Sequence, residues 1–417
     1  MQSEQSAGQS AAQPSAQVFA GLKVLAVARV YAAPFAAYQL ALHGADVIHV
    51  EEPLAGDTTR TGGGAHAKAF TDAKMGTAFL AHAANKRSLT LNLRESEAQE
   101  AFRKLARDAD IVIENLRAGD MERYGLSYET LQAQNPRLIY GSLTGYGQTG
   151  PKKRDAAIDM VVQAGSGMMS ITGSEESGPV RSGTTVVDYL AGFSLTVALV
   201  TALYQRTQTG LGQRLDVSML ESALSGMSAI VSDVQNAGFK PKLMGNRGSA
   251  NTPISNTLKC SNGFIMVAAS NDRRRRRILE AIGRMDILDD PRFATVDLMR
   301  QNYREMYAEI ERTLAARTAQ EWEDHLNKAG VPCMRVASVP EAVQSEQIRE
   351  RGFYHTFDNV PGVAGKLTVP LAPYKMSMNK AIAHSPPPLL GQHTDEILRG
   401  VGYTDADISR MRGAGII

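Results

Sequence analysis

Four short runs in the first third of the chain are hydrophobic almost without interruption: KVLAVA from Lys23, ADVIHVE from Ala45, ADIVIEN from Ala109 and RLIYGSL from Arg137. That pattern fits strands buried on both faces. Between the runs the period lengthens. SEAQEAFRKLARDA, for example, sets Phe102, Leu105 and Ala106 on one helical face with charges opposite. Strands alternating with helices predict an α/β domain whose parallel sheet is wound by right-handed crossovers. Such sheets bind ligands beyond the carboxyl ends of their strands. Three stretches fall there: RVYAAP after the first run, ENLRAGDMERYG after the third and TGYGQTGP after the fourth.

The pattern then changes. From SMLESALSGMSAIVSDVQNAG the chain reads as helix, followed by the Gly/Asn/Ser/Pro loop GNRGSANTP at Gly245 to Pro253. A strand-like GFIMVAAS and several amphipathic helices come next, and together they predict a second, smaller α+β domain. SPPPLLGQHTDEIL is a proline-punctuated connector into a terminal helical segment, and no internal repeat is found. The expected organisation is a disordered tail over 1–17, a large domain begun by 18–220, a linker helix and small domain over 221–345, and a return over 346–417.

The totals narrow the class. A length of 417 residues exceeds what one compact core usually holds. Hydrophobic content of 43% and charged content of 21% describe a folded soluble protein, and a formal charge of +2 gives no reason to expect nucleic acid. Cys260 and Cys333 form neither a disulfide framework nor a metal-site spacing, and the eight histidines include no pair at ligand spacing, so no metal is expected. The polar N-terminal segment lacks the apolar core of a signal peptide. The longest apolar stretch, Phe193 to Tyr204, is too short for a bilayer. A cytoplasmic protein with no membrane partner is expected.

Several motifs dissolve on inspection. No glycine follows the first strand until Gly44, which argues against an NAD fingerprint, and TGGGAH lacks the Lys-Ser/Thr of a P-loop. The five arginines from Arg273 to Arg277 read as the solvated first turns of a helix capped by Asp272. Trp322 and most methionines read as packing residues, and His393 as stabilising a turn. Lys86, Arg87, Arg94, Arg117 and Arg123 fit either ordinary surface charge or a cluster at the sheet's carboxyl edge suited to a phosphorylated ligand. Asp188 is the sharpest anomaly: a carboxylate between TTVV and a long apolar helical segment. It is either the helix N-cap or a functional group, since an unpaired buried carboxylate is costly.

The stretches GLKVLAVARVYAAPFAAYQLALHGADVIHVEEPLAGDTTR, NKRSLTLNL, DADIVIENLRAGDMERYGLSYETLQAQNPRLIYGSLTGYGQTGP and VVDYLAGF…ALYQRTQTGLGQRLDVSM resemble the class III CoA-transferases, from about Gly21 to the C-terminal LLGQHTDEIL. The family includes formyl-CoA and carnitine CoA-transferases and the α-methylacyl-CoA racemases. The resemblance implies a Rossmann-like large domain built from both chain ends, and two chains interlocked as rings in a homodimer. It implies coenzyme A or acyl-CoA and a small carboxylic acid as substrates, with no NAD. The family's catalytic aspartate falls on Asp188. Its CoA-contacting positions fall on Val30, Tyr31, Ala32, Leu91, Arg94, Asn115, Leu116, Arg117 and Arg123, and its flexible glycine loop falls near Gly248. Family chemistry passes through an aspartyl anhydride and an enzyme-CoA thioester. Succinyl-CoA is an expected donor, and Arg247 is an expected reader of a distal carboxylate.

Two departures stand out. Glu52 occupies the place of an arginine the family commonly carries near the CoA nucleotide, with Arg60 or Lys86 as candidate substitutes. AGP becomes Ala32-Ala33-Pro34. A racemase, the alternative within the family, needs a histidine before Asp159; Ile158 stands there and cannot shuttle a proton. A non-catalytic CoA-binding subunit is the alternative from another class, and the presence of Asp188 argues against it.

Overall fold

The computed structural model describes residues 17–63, 65–248 and 251–417. All but Gln17 of the expected N-terminal tail lies outside them, as do Ser249 and Ala250 of the GNRGSANTP loop. The chain forms two compact units. The first takes in the residues up to Val162, Thr185–Gly226 and Arg351–Ile417; the second is Gln163–Thr184 with Met227–Glu350.

Six parallel strands organise the first unit: β1 (Lys23–Val27), β2 (Asp46–Glu51), β3 (Lys86–Thr90), β4 (Ile111–Glu114), β5 (Ile139–Thr144) and β6 (Arg214–Ser218), in the order β3-β2-β1-β4-β5-β6. The chain builds outward from β1 to one edge, then returns to build the other side. The reversal falls between β1 and β4, which pair from Val24 with Ile111 to Val27 with Glu114. A crevice opens at such a point beyond the carboxyl ends, because the connections on either side leave in opposite directions.

Alternate residues divide the two faces. Leu25, Val27, Val112 and Tyr140 join a core with Phe102 of helix α2 (Ser96–Arg107) and with Leu398 and Met411 of the C-terminal helices. The large unit is therefore closed by both ends of the chain. On the other face lie α1 (Ala32–Leu42), buried at every residue, and the 24-residue α3 (Val186–Thr209). A Cβ at Gly141 of β5 would meet Leu195 of α3 at 3.0 Å, so that helix lies hard against the sheet. The helix exceeds the Phe193–Tyr204 stretch and is long and apolar enough to cross a membrane. Its buried Arg206, paired with Asp110 at 2.9 Å, and its packing on the sheet are those of a core helix.

Two strands were not legible as such. β3 begins with Lys86 and Arg87, which read as surface charge. Lys86 is buried and its ammonium donates to the Pro34 carbonyl at 2.8 Å, while Arg87 pairs with Asp46 and Glu396. Arg87 is thereby held at the start of the strand, whereas the Lys86 side chain reaches the first turn of α1 and lines a small cavity with Val30 and Asp57. β6 is short and half-exposed, with little hydrophobic signal.

A buried ion pair fixes the connection after β2. Arg60 is fully buried and meets both Glu51 oxygens, at 2.6 and 2.7 Å. Its remaining donors reach the carbonyls of Lys74 and Pro388, and it stacks over Phe79. Ser88 donates to Glu51 and accepts from the Gly391 amide. Burial raises the Glu51 pKa, but His49, Arg60 and Ser88 outweigh it and hold the carboxyl at about 2. His393 accepts from the Ser88 amide, consistent with a role in fixing the chain turn.

The second unit carries a three-stranded antiparallel sheet of β7 (Asn256–Cys260), β8 (Gly263–Val267) and β9 (Cys333–Arg335), packed with helices as an α+β unit. Trp322 is buried there and donates to the Leu314 carbonyl. The arginine run opens the helix Asp272–Ala281, but Asn271 caps it by accepting from the Arg274 amide. Asp272 instead pairs with Arg275 and Arg276, and Arg275 is buried, so the run is not wholly solvated. Residues 163–184 fall with this unit, not with the large one as the sequence suggested. Within this unit Glu176 pairs with Arg304 at 3.0 Å.

Replacing Arg60 with Ala is expected to destabilise the protein by about 3–5 kcal/mol, because it leaves Glu51 charged and unpaired in the interior. The double replacement Glu51→Gln, Arg60→Met should lose markedly less. Urea unfolding of both variants measures the difference.

Candidate active site

At the β1–β4 reversal the two loops are tied directly. The Arg29 amide donates to Asn115 Oδ1 and Asn115 Nδ2 donates to the Arg29 carbonyl, both at 2.8 Å. Val30 follows with φ of 69°, a conformation unfavourable for a β-branched residue. Its amide is held by Asp57 at 3.0 Å, and Asp57 also accepts from Thr59. Helix α1 starts immediately afterwards with no side-chain cap and no acidic residue in its first turn. Its first amides and the positive end of its dipole therefore suit an anion. On the β4 side the Leu116 amide donates to buried Glu114 at 2.9 Å; burial pushes that carboxyl up to about 7 against the hydrogen bonds from Ser142 and Leu116.

The structure brings Val30, Tyr31, Ala32, Asn115 and Leu116 together at this reversal. Arg117 and Arg123 follow in the loop and short helix after β4, both exposed, with Arg123 paired to Asp120. Leu91 and Arg94 lie farther along the same edge, after β3. Leu91 is buried in the sheet core and its amide donates to the Glu51 carbonyl at 2.8 Å, whereas Arg94 is exposed. Of the two candidate substitutes for the arginine near Glu52, Arg60 is engaged inside the protein through Nε, Nη1 and Nη2, and Lys86 gives one hydrogen bond to the Pro34 carbonyl. Arg247 sits in the second unit, bonded to Asn251 and stacked over Tyr303 at 3.7 Å.

Asp188 does not cap α3. Thr185 stands at the N-cap without a side-chain bond, and Asp188 lies in the first turn. The capping is done from outside: Asp159 accepts from the amides of Val187 and Asp188, at 2.8 and 3.1 Å. The Asp188 side chain is thereby released from the role its sequence suggested. Burial, and then the Asp159 charge, push its pKa up to about 7 with no cation offsetting them.

One turn farther on, a Cβ at Gly192 would lie 2.8 Å from the Ala32 carbonyl oxygen and 2.8 Å from the Phe35 ring. Only glycine permits this approach of α3 to the start of α1. Positions i and i+4 share a helix face, so Asp188 is set beside the segment Tyr31–Ala32. Tyr189 and Phe193 pack on Phe35 at 5.3 and 4.8 Å between ring centroids, and His82 completes the aromatic wall. Sequence reasoning missed Asp159 as the cap and both Tyr189 and His82. The partners lie 29 and 107 residues apart, and no local pattern marks them. Among the described residues no group of three or more His, Cys, Asp or Glu side chains is arranged to hold a metal.

Asp159→Asn keeps an oxygen that accepts from the α3 amides but removes a negative charge beside Asp188. The Asp188 carboxyl is therefore expected to titrate below its wild-type midpoint near 7, read by 13C NMR of the labelled carboxyl groups. An unchanged or higher midpoint would contradict this electrostatic account.

A family profile described as CoA-transferase family III matches residues 19–394. The chain is 32% identical over 398 residues to a succinyl-CoA:glutarate CoA-transferase of Homo sapiens, covering 95% of this chain and 89% of that relative. It is 33% identical over 363 residues to an acetyl-CoA:oxalate CoA-transferase of Acetobacter aceti, covering 86% and 89%. The crystal structure of a CAIB/BAIF family protein from Brucella suis superposes with a TM-score of 0.81 at 31% identity, covering 93% of this chain and all of that one. With the parallel sheet, its reversal point and the near-complete match in hand, the chain belongs to the family III CoA-transferases.

Proposed function

We propose that this CoA-transferase moves CoA from an acyl-CoA donor, succinyl-CoA among them, to a small carboxylic acid through covalent chemistry on Asp188. The observation that carries the reading is the Asp188 carboxylate itself: half-buried, uncompensated by a cation, and held beside the uncapped start of α1 at the sheet's reversal point. The diphosphate of CoA is expected at the first amides of α1, where the helix dipole favours an anion, with Asn115 and Leu116 alongside. Arg94, Arg117 and Arg123 supply charge for the rest of the nucleotide.

The sequence of steps conserves every atom. A carboxylate oxygen of Asp188 attacks the donor thioester, forming a mixed anhydride and releasing CoA thiolate. The thiolate attacks the aspartyl carbonyl, forming an Asp188-CoA thioester and releasing the donor acid. The acceptor carboxylate then attacks that thioester, giving a second anhydride and thiolate. Attack of the thiolate on the acceptor carbonyl yields the new acyl-CoA and restores Asp188. Each step exchanges one activated carboxyl for another, so the activation of the thioester is kept and one difficult exchange is split into easier ones. Because the nucleophile is the ionised form, transfer should rise with pH through about 7.

The donor is supported by relatives whose names specify succinyl-CoA, which also favour a small dicarboxylic acid as acceptor. Racemisation is disfavoured because Asp159, following Ile158, is engaged with the α3 amides.

Incubation with donor acyl-CoA and no acceptor is expected to leave CoA on Asp188, labile to hydroxylamine and located by peptide mass spectrometry. Asp188→Asn should fold and bind CoA but transfer nothing. A matrix of donors and acceptors read by mass of the CoA esters identifies the acids. Substantial transfer by Asp188→Asn, with deamidation excluded by mass, would overturn the mechanism.

We further propose an interlocked homodimer. Phe193, Val197, Val200 and Tyr204 form an exposed apolar stripe along α3, with Val197 65% and Tyr204 68% accessible in the single chain. Such a stripe calls for a covering partner. Native mass spectrometry and light scattering at low concentration should find dimer throughout, and a compact monomer would refute it.

A further inference from the structure

We propose that Tyr189 is a second catalytic residue, its hydroxyl donating a hydrogen bond to the carbonyl oxygen of the acyl group carried on Asp188, with His82 holding the ring. The proposal rests on Asp188 being the nucleophile. Tyr189 is the next residue of α3, and helical side chains lean toward the N-terminus of their helix, so its ring leans over the turn that carries Asp188. Phe35 and His82 clamp the ring edge-on, with centroids at 5.3 and 5.7 Å. The hydroxyl shares its electrostatic surroundings with Tyr31, at the expected CoA-binding segment, and with Asp188.

His82 is built to orient this hydroxyl without consuming it. The imidazole is buried, and burial together with nearby Lys86 lowers its pKa to about 3, so it is neutral and carries one proton. Its Nε2 lies 3.5 Å from the Tyr189 oxygen, while its buried Nδ1 has no hydrogen-bond partner among the described residues. A proton on Nδ1 would strand a donor in the interior, an arrangement proteins rarely tolerate. A proton on Nε2 is directed at the Tyr189 oxygen instead, leaving the phenolic proton free to point elsewhere. The long separation also leaves the hydroxyl short of saturation. Burial, Tyr31 and Asp188 raise the phenol's pKa, so it stays protonated over the working range and transfers no proton.

The first and last steps of the transfer pass through a tetrahedral oxyanion on the acyl carbon, and a prepositioned donor at such an oxyanion contributes roughly 100–1,000-fold in rate. Backbone amides near Asp188 are already engaged by Asp159, so a side-chain donor meets a need that the helix start does not supply.

Tyr189→Phe keeps the ring and its edge-on contacts and removes only the hydroxyl. The expected result is an unchanged Tm, an unchanged KM for donor acyl-CoA, and a fall of about 100-fold in both kcat and the rate of Asp188 adduct formation measured by rapid quench. His82→Leu should slow the wild-type enzyme but add little to Tyr189→Phe, a coupling that independent structural roles would not produce. A folded Tyr189→Phe enzyme with wild-type kcat and adduct rate would overturn the proposal, as would a loss seen wholly in KM. Failure of the Asp188 reading shows separately, as transfer by Asp188→Asn, and would remove the acceptor of this hydrogen bond.

Discussion

The close approach of α3 to α1 at Gly192 is the contact on which the site depends. Two helices usually keep 8–10 Å between their axes because side chains stand between them. Here the missing Cβ lets one backbone rest against the Ala32 carbonyl. The contact lies at the first turn of α1, where the chain has just left β1, and so it brings the start of α3 to the same corner. Asp188, one turn before Gly192, is placed beside Tyr31 and Ala32 by this packing, not by any bond of its own.

The corner is held from below by a polar interior. The Glu51–Arg60 pair is fully desolvated, and such pairs add little net stability over apolar packing. Their directionality is another matter. Arg60 reaches the carbonyls of Lys74 and Pro388, Ser88 joins Glu51 to the Gly391 amide, and Asp57, bonded through its own amide to Glu51, grips the strained Val30 amide. One buried network thus connects the β2 loop, the returning C-terminal chain and the loop after β1.

Asp188 itself is held against its electrostatic preference. Burial and the Asp159 carboxylate raise its pKa from an ordinary 3.8 to about 7. Between those values the folded state binds more protons than the unfolded chain, so this group's contribution to stability declines as pH rises through the window. The ionised form, on which the proposed attack depends, is the one the fold disfavours. That is the trade expected of a reactive group, which a fully compensated carboxylate would not be.

Much of the architecture was legible in the chain. Continuous hydrophobic runs identified β1, β2, β4 and β5 because strands buried on both faces need no polar alternation, and the stretches shared with the family led to the expectation of a site at Asp188 and at Val30, Tyr31, Ala32, Asn115 and Leu116. β3 and β6 escaped because their first residues are charged, and a lysine in sequence carries no mark of being buried against a carbonyl. Asp188 read as a cap because its local pattern is that of a cap. Which carboxylate caps α3 was decided by a contact spanning 28 residues. The availability of Arg60, and the pairing of Tyr189 with His82, were likewise settled only when distant segments met. Sequence periodicity records which face of an element is buried, whereas partner choice among buried polar groups depends on distances that exist only after the sheet and its helices have packed.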